Sequence, residues 1–276
     1  MQAEDDDVSR LSLQTICSRQ AHELHRVKLL MPALCRVNSG KKRVQWGEHG
    51  ETADRTQLIL FPAGYDLHLA NYPDNGRYLS QILYIPPSLI HRFRQHHPAP
   101  LARDKKPTFC LALDHELLYC WQQLTDAFEK KFSRPLLEHA TLGMLLMLQN
   151  RGAAEILLTQ RDDSLVNRCQ RLLMLDPSTP WTASLVATHL HMATSTFHRR
   201  LAAEGGSFQE ILDDVRLGNA LTALQTTQKP VGQIAIENGY QCPSRFTARF
   251  QKRFQITPRA LRQAIKSAGV VNDGRD

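Results

Sequence analysis

Residues 243–254, PSRFTARFQKRF, combine an aromatic stripe with polar and cationic residues that fall outside it. Three phenylalanines recur at every fourth position: Phe246, Phe250 and Phe254. On a helix they form one apolar face. The residues off that face are Ser244, Arg245, Arg249 and Lys252. Cations on an exposed helix face can hydrogen-bond to phosphates and base edges in the major groove of DNA. The pattern predicts a recognition helix.

The same plan occurs earlier, in LVATHLHMATSTFHRRL at 185–201. Phe197 and Leu201 are apolar on the second predicted helix, and Met192 lies in the turn before it. The residues left to face outward, which we predict to contact DNA, are Ser195, Thr196, His198, Arg199 and Arg200. A short helix, a turn and a second helix with exposed cations predict a helix-turn-helix unit. The chain therefore has two.

A long predicted helix, SFQEILDDVRLGNALTALQTTQ at 207–228, separates the two units. It would space them rigidly, and units about 34 Å apart enter successive major grooves on one face of a duplex. Arg216 lies on this helix, three residues after Asp213, which is a candidate ion-pair partner on the same face.

Residues 234–262, IAIENGYQCPSRFTARFQKRFQITPRALR, resemble the signature of the AraC/XylS family of transcription regulators. The resemblance extends over about 181–262. It implies a sequence-specific regulator with two helix-turn-helix units, an activator as is usual in the family, in which Arg216 holds the units at a fixed spacing. It also implies an N-terminal cupin-like β-barrel followed by helices, which sense a ligand or form a dimer.

The chain departs from the family pattern in three places. Gln255 stands where the family has glycine, so the last turn is expected to be built differently. Ala193 replaces the usual serine cap, which typically costs ~1 kcal/mol unless Thr194 takes that role. Cys242 and Pro243 are less polar than usual, which argues against base contacts there.

The first half of the chain has a strand-like pattern between turn signals. Short apolar runs occur at 27–37, 43–46, 57–62, 65–73, 76–86 and 109–113. This spacing predicts a small β-barrel or sandwich. With the helical C-terminal part, the fold class is α+β: an N-terminal cupin-like β-barrel with helices and a C-terminal all-α domain with two helix-turn-helix units.

Helices are predicted at 114–132, 136–149 and 163–177. The first has an apolar stripe: Leu117, Trp121, Leu124 and Phe128. Its spacing matches a coiled-coil seam for a homodimer. The alternative is that the stripe packs on the barrel within one chain.

Charge is distributed unevenly along the 276 residues. The chain has 34 Lys and Arg against 27 Asp and Glu, of which residues 177–276 carry 12 and 7. The basic excess therefore lies in the C-terminal third. We predict a disordered acidic tail at 1–10, a sensing or dimerisation domain at 11–176, a DNA-binding domain at 177–265 and a tail at 266–276.

Several other classes of protein lack support in the sequence. The six cysteines form no CxxC pair, so neither a disulfide framework nor a zinc site is predicted. Neither a signal peptide nor a membrane span is recognisable, and a cytoplasmic protein is expected. Phosphate loops and catalytic triads are missing as well, so no enzyme is predicted.

The rival interpretation is a ligand-binding or metal-dependent cupin-type protein whose helical domain binds a partner protein. Metallo-cupins resemble one another in an HxH pair followed by Glu, whereas His68 stands alone. His96 and His97 are adjacent and would point apart on a strand. His22 and His25 would share a helix face, without other ligands nearby. No metal or cofactor is therefore predicted.

Double-stranded DNA is the predicted partner. RNA polymerase, a small-molecule or protein effector at the N-terminal domain and a second copy of the chain are the other candidates. Lys28 and the run 41–43, KKR, could meet an anionic ligand, although such runs are usually solvated.

Overall fold

A computed structural model describes residues 11–98, 108–158 and 164–266. It confirms the α+β class, with sheets in the N-terminal part and helices in the C-terminal part. The predicted tails, 1–10 and 266–276, lie outside the described residues except for the backbone of residue 266. No helix within the described ranges is long and apolar enough to cross a lipid bilayer.

Among the described residues, nine strands form two antiparallel sheets. The strands are β1 (Ser12–Ser18), β2 (His22–Lys28), β3 (Ala33–Ser39), β4 (Lys41–Trp46), β5 (His49–Ala53), β6 (Gln57–Phe61), β7 (Asp66–Tyr72), β8 (Tyr78–Tyr84) and β9 (Cys110–Ala112). The first sheet has the order β1-β8-β3-β6-β9, and the second has the order β2-β7-β4-β5. Alternating residues of both sheets face one apolar core, including Leu24, Cys35 and Val44.

The predicted barrel is not closed. A closed barrel leaves no edge strand unpaired, whereas β1 and β9 remain edges of one sheet and β2 and β5 edges of the other among the described strands. The predicted run 27–37 is divided, since β2 ends at Lys28 and β3 begins at Ala33. The sequence pattern did not predict β1, β5 or most of β2. These strands contain many polar residues, so they show no clear alternation of apolar and polar positions.

In the part of the chain that the structure describes, five helices follow or flank the sheets: α1 (Pro87–His96), α2 (His115–Glu129), α3 (Arg134–Asn150), α4 (Glu155–Leu158) and α5 (Leu165–Leu175). His96 ends α1 and His97 caps it, so the strand considered for this pair is wrong. His22 and His25 lie on β2, so the helix considered for that pair is also wrong.

The stripe on α2 packs within the protein. Leu117, Trp121 and Leu124 are fully buried among residues of the first sheet, α1 and α3, and Phe128 is partly buried against them. These side chains already have partners inside one chain and cannot form an intermolecular seam. The coiled-coil interpretation is wrong for this stripe, and the alternative of packing inside the domain is confirmed.

Up to residue 266, where the description ends, six helices form the C-terminal part: α6 (Ala183–His189), α7 (Thr194–Ala203), α8 (Phe208–Thr226), α9 (Val231–Glu237), α10 (Pro243–Phe254) and α11 (Pro258–Lys266). Ile211, Leu212 and Val215 on α8 join α5, α6 and α7 in one core. Leu217, Leu221 and Leu224 on the same helix join α9, α10, α11 and the sheets in another. One rigid helix is therefore shared by two packing units.

Two of the three departures from the family pattern have visible consequences. Ala193 caps α7 without a side-chain hydrogen bond, and Thr194 is the first helical residue, so it does not take over the cap. Gln255 ends α10 with φ of 61°, in the left-handed region where glycine is favoured. Its side chain donates to the Lys252 carbonyl over 3.2 Å.

Candidate DNA-binding surface

The first helix-turn-helix unit consists of α6 and α7. Thr182 caps α6 as predicted, its hydroxyl accepting from the Leu185 amide over 3.1 Å. The turn is closed by the Met192 amide, which donates to the Ala187 carbonyl over 2.8 Å. His191, in this turn, has φ of 56°. The left-handed residue ends α6 and redirects the chain into α7.

The second unit, α9 and α10, closes its turn in the same way but has one more residue between its helices. Its Tyr240 amide donates to the Ala235 carbonyl over 2.9 Å, and Gly239 takes the left-handed position with φ of 76°. Pro243 begins α10, where its missing N–H costs nothing. Glycine fits this position in the second unit, whereas the first places His191 there. The repeated geometry shows that the units are structural equivalents.

Both second helices divide their residues as predicted. Phe197 and Leu201 on α7 are buried, as are the three phenylalanines on α10. The predicted contact residues that are exposed are Ser195, His198, Arg199, Arg200, Ser244, Arg245, Arg249 and Lys252. Thr196 is only half-buried at the margin of α7. Each unit thus presents a polar helix face to solvent.

The two helices correspond with an offset of 49 residues. Phe197 donates its amide to Ala193 in the first turn of α7, and Phe246 donates to Cys242 in the first turn of α10. Arg249 is therefore the counterpart of Arg200. The counterpart of Arg199 is Ala248, which cannot make a polar side-chain contact.

Arg249 is held by the linker helix. Its Nη1 donates to both carboxylate oxygens of Asp213, at 2.7 Å from Oδ2. The Arg249 side chain is still 47% exposed, so water screens this pair and its strength is modest. The guanidinium is oriented towards α8 rather than projecting freely. Sequence reasoning missed this contact because the partners are 36 positions apart.

Arg216 lies at the junction between the units and does not pair with Asp213. Its Nε donates to the Pro177 carbonyl over 3.0 Å, and its Nη2 donates to the Thr179 carbonyl over 2.8 Å. The guanidinium also lies 6.0 Å from the ring centre of Tyr240 in the second unit. Burial lowers the pKa of Arg216 from its ordinary value. These contacts connect the segment before α6 with α8 and the second unit.

Arg253, on α10, faces the N-terminal part instead of solvent. Its Nη2 lies 2.6 Å from Oδ1 of Asp214, and its Nε donates to the Arg26 carbonyl over 2.8 Å. Lys28 approaches the same Asp214 from β2, at 2.9 Å from Oδ2. Asp214 is therefore a buried carboxylate shared by two cations from different parts of the chain. No local sequence pattern indicates this cluster.

A cavity of about 180 Å³ lies between the sheets and α8. Most of its walls are apolar, with Ile16, Leu24 and Phe254 among them, and Lys28, Asp214 and Arg253 lie at its border. Lys42 also lines it, is 4% exposed, and donates to Asn71 Oδ1 over 2.6 Å. Burial lowers the pKa of Lys42. Lys42 pairs with no carboxylate among the described residues. Its neighbours Lys41 and Arg43 are solvated, as expected of such runs.

Residues 186–264 match the protein family described as "Helix-turn-helix domain". The Transcriptional regulator SirC of Salmonella typhimurium (strain SL1344) is 37% identical over 87 residues, which are 32% of this chain and 30% of SirC. The Ornithine utilization regulator of Pseudomonas aeruginosa is 28% identical over 169 residues, 61% of this chain and 49% of that protein. The chain therefore spans at most half the length of these relatives.

The fold as a whole is similar to that of a solved structure. The unsaturated fatty acid bound wild-type ToxT from Vibrio cholerae strain SCE256 superposes with a TM-score of 0.66 at 12% identity, covering 93% of this chain and 96% of that one. The comparison supports the sheet-then-helix architecture. The domain match and the named regulators confirm the resemblance to the AraC family that the motif at 234–262 indicated.

Proposed function

We propose that the protein, which carries an AraC-type helix-turn-helix domain, regulates transcription by binding specific double-stranded DNA sites, and that it acts as an activator. The observation that carries this proposal is the pair of equivalent units, each with a buried aromatic or apolar stripe and an exposed polar face. Several further relatives with partial matches are named transcriptional activators, which supports the direction of regulation.

The length of α8 supports the proposal that the two units enter successive major grooves. Helix α8 has 19 residues, and at 1.5 Å per residue it is about 28 Å long. One turn of a DNA duplex is about 34 Å. Because α8 contributes to the core of both units, their spacing cannot change without breaking buried contacts. An asymmetric DNA site is the expected target.

The proposed contacts fall into two groups. Arg199, Arg200, Arg245 and Lys252 form no ion pair with any residue that the structure describes, which leaves them available for bases and phosphates. The second group has shorter side chains, whose hydroxyl or imidazole groups can form hydrogen bonds with DNA: Ser195, Thr196, His198 and Ser244. Arg249 joins them only when DNA competes successfully with Asp213, so its contribution is expected to be smaller.

Substitution of Arg199 is expected to weaken binding to a cognate site by about 1–3 kcal/mol, or about 5- to 150-fold. Arg199 is exposed on α7, and a guanidinium that reaches guanine or phosphate is lost in Arg199→Ala. The measurement is fluorescence anisotropy at several salt concentrations, using genomic fragments first selected by the parent protein.

Two matched variants complete this experiment. Arg55→Ala removes an exposed arginine from the turn before β6 and should leave the affinity unchanged. Arg216→Ala should weaken binding and lower the melting temperature, with no change in the salt slope, because its partners are backbone carbonyls. Loss of a phosphate contact instead reduces the slope by about one unit. Equal affinity of Arg199→Ala and the parent would overturn the assignment of α7 as a recognition helix.

The N-terminal residues 11–176 are proposed as the sensing and dimerisation domain and 177–265 as the DNA-binding domain. Helix α5 precedes that boundary but packs in the same core as α6 and α7. RNA polymerase and a second copy of the chain are proposed partners. A non-enzymatic, cytoplasmic protein is proposed as well, and the regulator names of SirC and the Ornithine utilization regulator support its non-enzymatic character. For the second copy, exposed apolar side chains on and beside α2 and α3 offer a surface: Tyr119, Phe132, Leu136 and Leu146.

The cavity is proposed as the effector site, for an amphipathic carboxylate. Lys42 offers a buried cation with no described counter-ion, and the apolar walls suit a hydrocarbon chain. The similar fold of ToxT was solved with an unsaturated fatty acid, which supports this class of ligand. Since α8 forms one wall, a ligand there would contact the element that spaces the two units.

A cis-monounsaturated C18 fatty acid is expected to raise the melting temperature of the parent, because a ligand that binds only the folded state stabilises it. Lys42→Met should lose most of this shift, and the fatty-acid shift is measured from the variant's own melting temperature, because the substitution removes a buried charge but leaves Asn71 Oδ1 without its donor. Lys41→Met, one position away and solvent-exposed, serves as the control and should respond like the parent. Identical fatty-acid responses in both variants would exclude Lys42 as the carboxylate partner.

A further inference from the structure

Three potential metal ligands meet on the outer face of the second sheet: Glu23 and His25 on β2, and His68 on β7. The His68 Nε2 lies 3.2 Å from Glu23 Oε2. The rings of His25 and His68 stack with centroids 3.9 Å apart. One donor atom from each of the three residues lies within 4.8 Å of the others. Small side-chain rotations would bring all three onto one ion.

Strand alternation and register bring the three residues together. Glu23 and His25 flank the buried Leu24 on β2, and Leu24 pairs with Leu69, so His25 lies opposite His68 on the outer face. A bulge follows: Val27 pairs with Leu67, and Arg26, with φ of 49°, is the extra residue. Such bulges are frequent next to functional sites.

The donor set selects a class of metal. Two imidazoles and one carboxylate suit Zn²⁺ and other late first-row transition ions, with a fourth position open for water. Mg²⁺ and Ca²⁺ prefer sites built of oxygen ligands. We propose that Glu23, His25 and His68 form a binding site for a divalent transition metal, with Zn²⁺ as the reference ion.

The site adjoins the contact between the two parts of the chain. Arg26, next to His25, accepts the hydrogen bond from Arg253 of α10 through its carbonyl. A metal that fixes His25 to β7 also fixes the backbone that holds this second recognition helix. The site thus connects the sheet surface mechanically to the DNA-binding part. It does not depend on the proposed function, because metal binding is measured without DNA.

The test is titration of the full-length, tag-free protein with Co²⁺, followed by displacement with Zn²⁺. Co²⁺ bound to imidazole and carboxylate gives d–d absorption bands, and Zn²⁺ should abolish them at one equivalent per chain. His25→Ala and His68→Ala should each lower Zn²⁺ affinity by roughly 10- to 100-fold or more. Glu23→Gln, which keeps the size of the side chain, should also weaken binding.

His139→Ala provides the matched control, because His139 is an exposed histidine on α3, outside the three-residue group. It should bind Zn²⁺ like the parent. As a second readout, Zn²⁺ should raise the melting temperature of the parent and of His139→Ala but not of His68→Ala. Absence of Co²⁺ bands in the parent, or equal Zn²⁺ affinity in all variants, would overturn the proposal.

Discussion

Asp214→Ala is expected to lower the free energy of unfolding by about 3–5 kcal/mol. The Asp214 side chain is 5% exposed and lies between Arg253 and Lys28, at 2.6 and 2.9 Å. Its removal leaves the two cations in a partly buried space with only the half-exposed Asp66, 3.4 Å from Arg253 and 3.8 Å from Lys28, as a counter-charge. Leaving buried charge uncompensated costs far more than the intact cluster contributes.

The adjacent residue gives a matched control. Asp213 pairs with Arg249 at the surface, where the arginine side chain is 47% exposed, so Asp213→Ala should cost only about 0–1 kcal/mol. Urea denaturation of both variants, followed by circular dichroism, measures the difference. If the two aspartate variants have the same stability, the cluster around Asp214 is not the connection between α8, α10 and β2 described above.

Asp214→Ala should also affect the arrangement of the two parts of the chain. Arg253 keeps its hydrogen bond to the Arg26 carbonyl, but it loses its principal charge partner and retains only Asp66, 3.4 Å away. Helix α10 is therefore held less firmly against β2. In limited proteolysis, the protease should cut the segments that connect the sheets to α10 faster in this variant than in Asp213→Ala.

Gly239→Ala is expected to destabilise the protein by about 2–5 kcal/mol, from left-handed strain of about 1–2 kcal/mol plus overpacking of about 1–3 kcal/mol. Gly239 has φ of 76°, and an added Cβ would lie 2.6 Å from Arg216 Cζ and 2.7 Å from the Pro177 carbonyl oxygen. The backbone oxygen cannot retreat, and two hydrogen bonds fix the guanidinium.

The variant Gly205→Ala distinguishes backbone strain from overpacking as causes of this destabilisation. Gly205 also has φ of 76°, but a Cβ there would meet no described atom within 4 Å. Gly205→Ala should therefore show only the backbone strain, about 1–2 kcal/mol. Thermal unfolding of both variants gives the difference, and DNA affinity should fall mainly in Gly239→Ala because the second turn is displaced. Equal destabilisation would mean that the close approach to Arg216 relaxes without cost.

Local features of the DNA-binding part were readable from the sequence. The four-residue period of the phenylalanines determines which side of α10 is buried, because helix geometry alone places i and i+4 on one face. The cap at Thr182 and the left-handed Gly239 follow from hydrogen bonding and backbone sterics within a few residues. The family signature also indicated the function, because it combines these local requirements over 29 residues, 234–262.

The N-terminal part was less readable. Its strands β1 and β2 contain many polar residues and few apolar ones, so their sequence pattern is weak. They pair with β8 and β7, which are distant in the sequence. The stripe on α2 has the same spacing whether it faces a second chain or the chain's own sheet. Only the position of α3 and the first sheet shows that Trp121 is covered internally.

By itself the sequence determined the two helix-turn-helix units, the helix between them and the polar faces of α7 and α10, since these depend on contacts between residues close in the chain. The tertiary structure alone decided the partners of single charges. Arg249 meets Asp213, Arg253 meets Asp214, and Glu23 meets His68. These partners are 36 to 45 positions apart, and the resulting charge contacts depend on how helices and strands pack, a long-range property that no local pattern encodes.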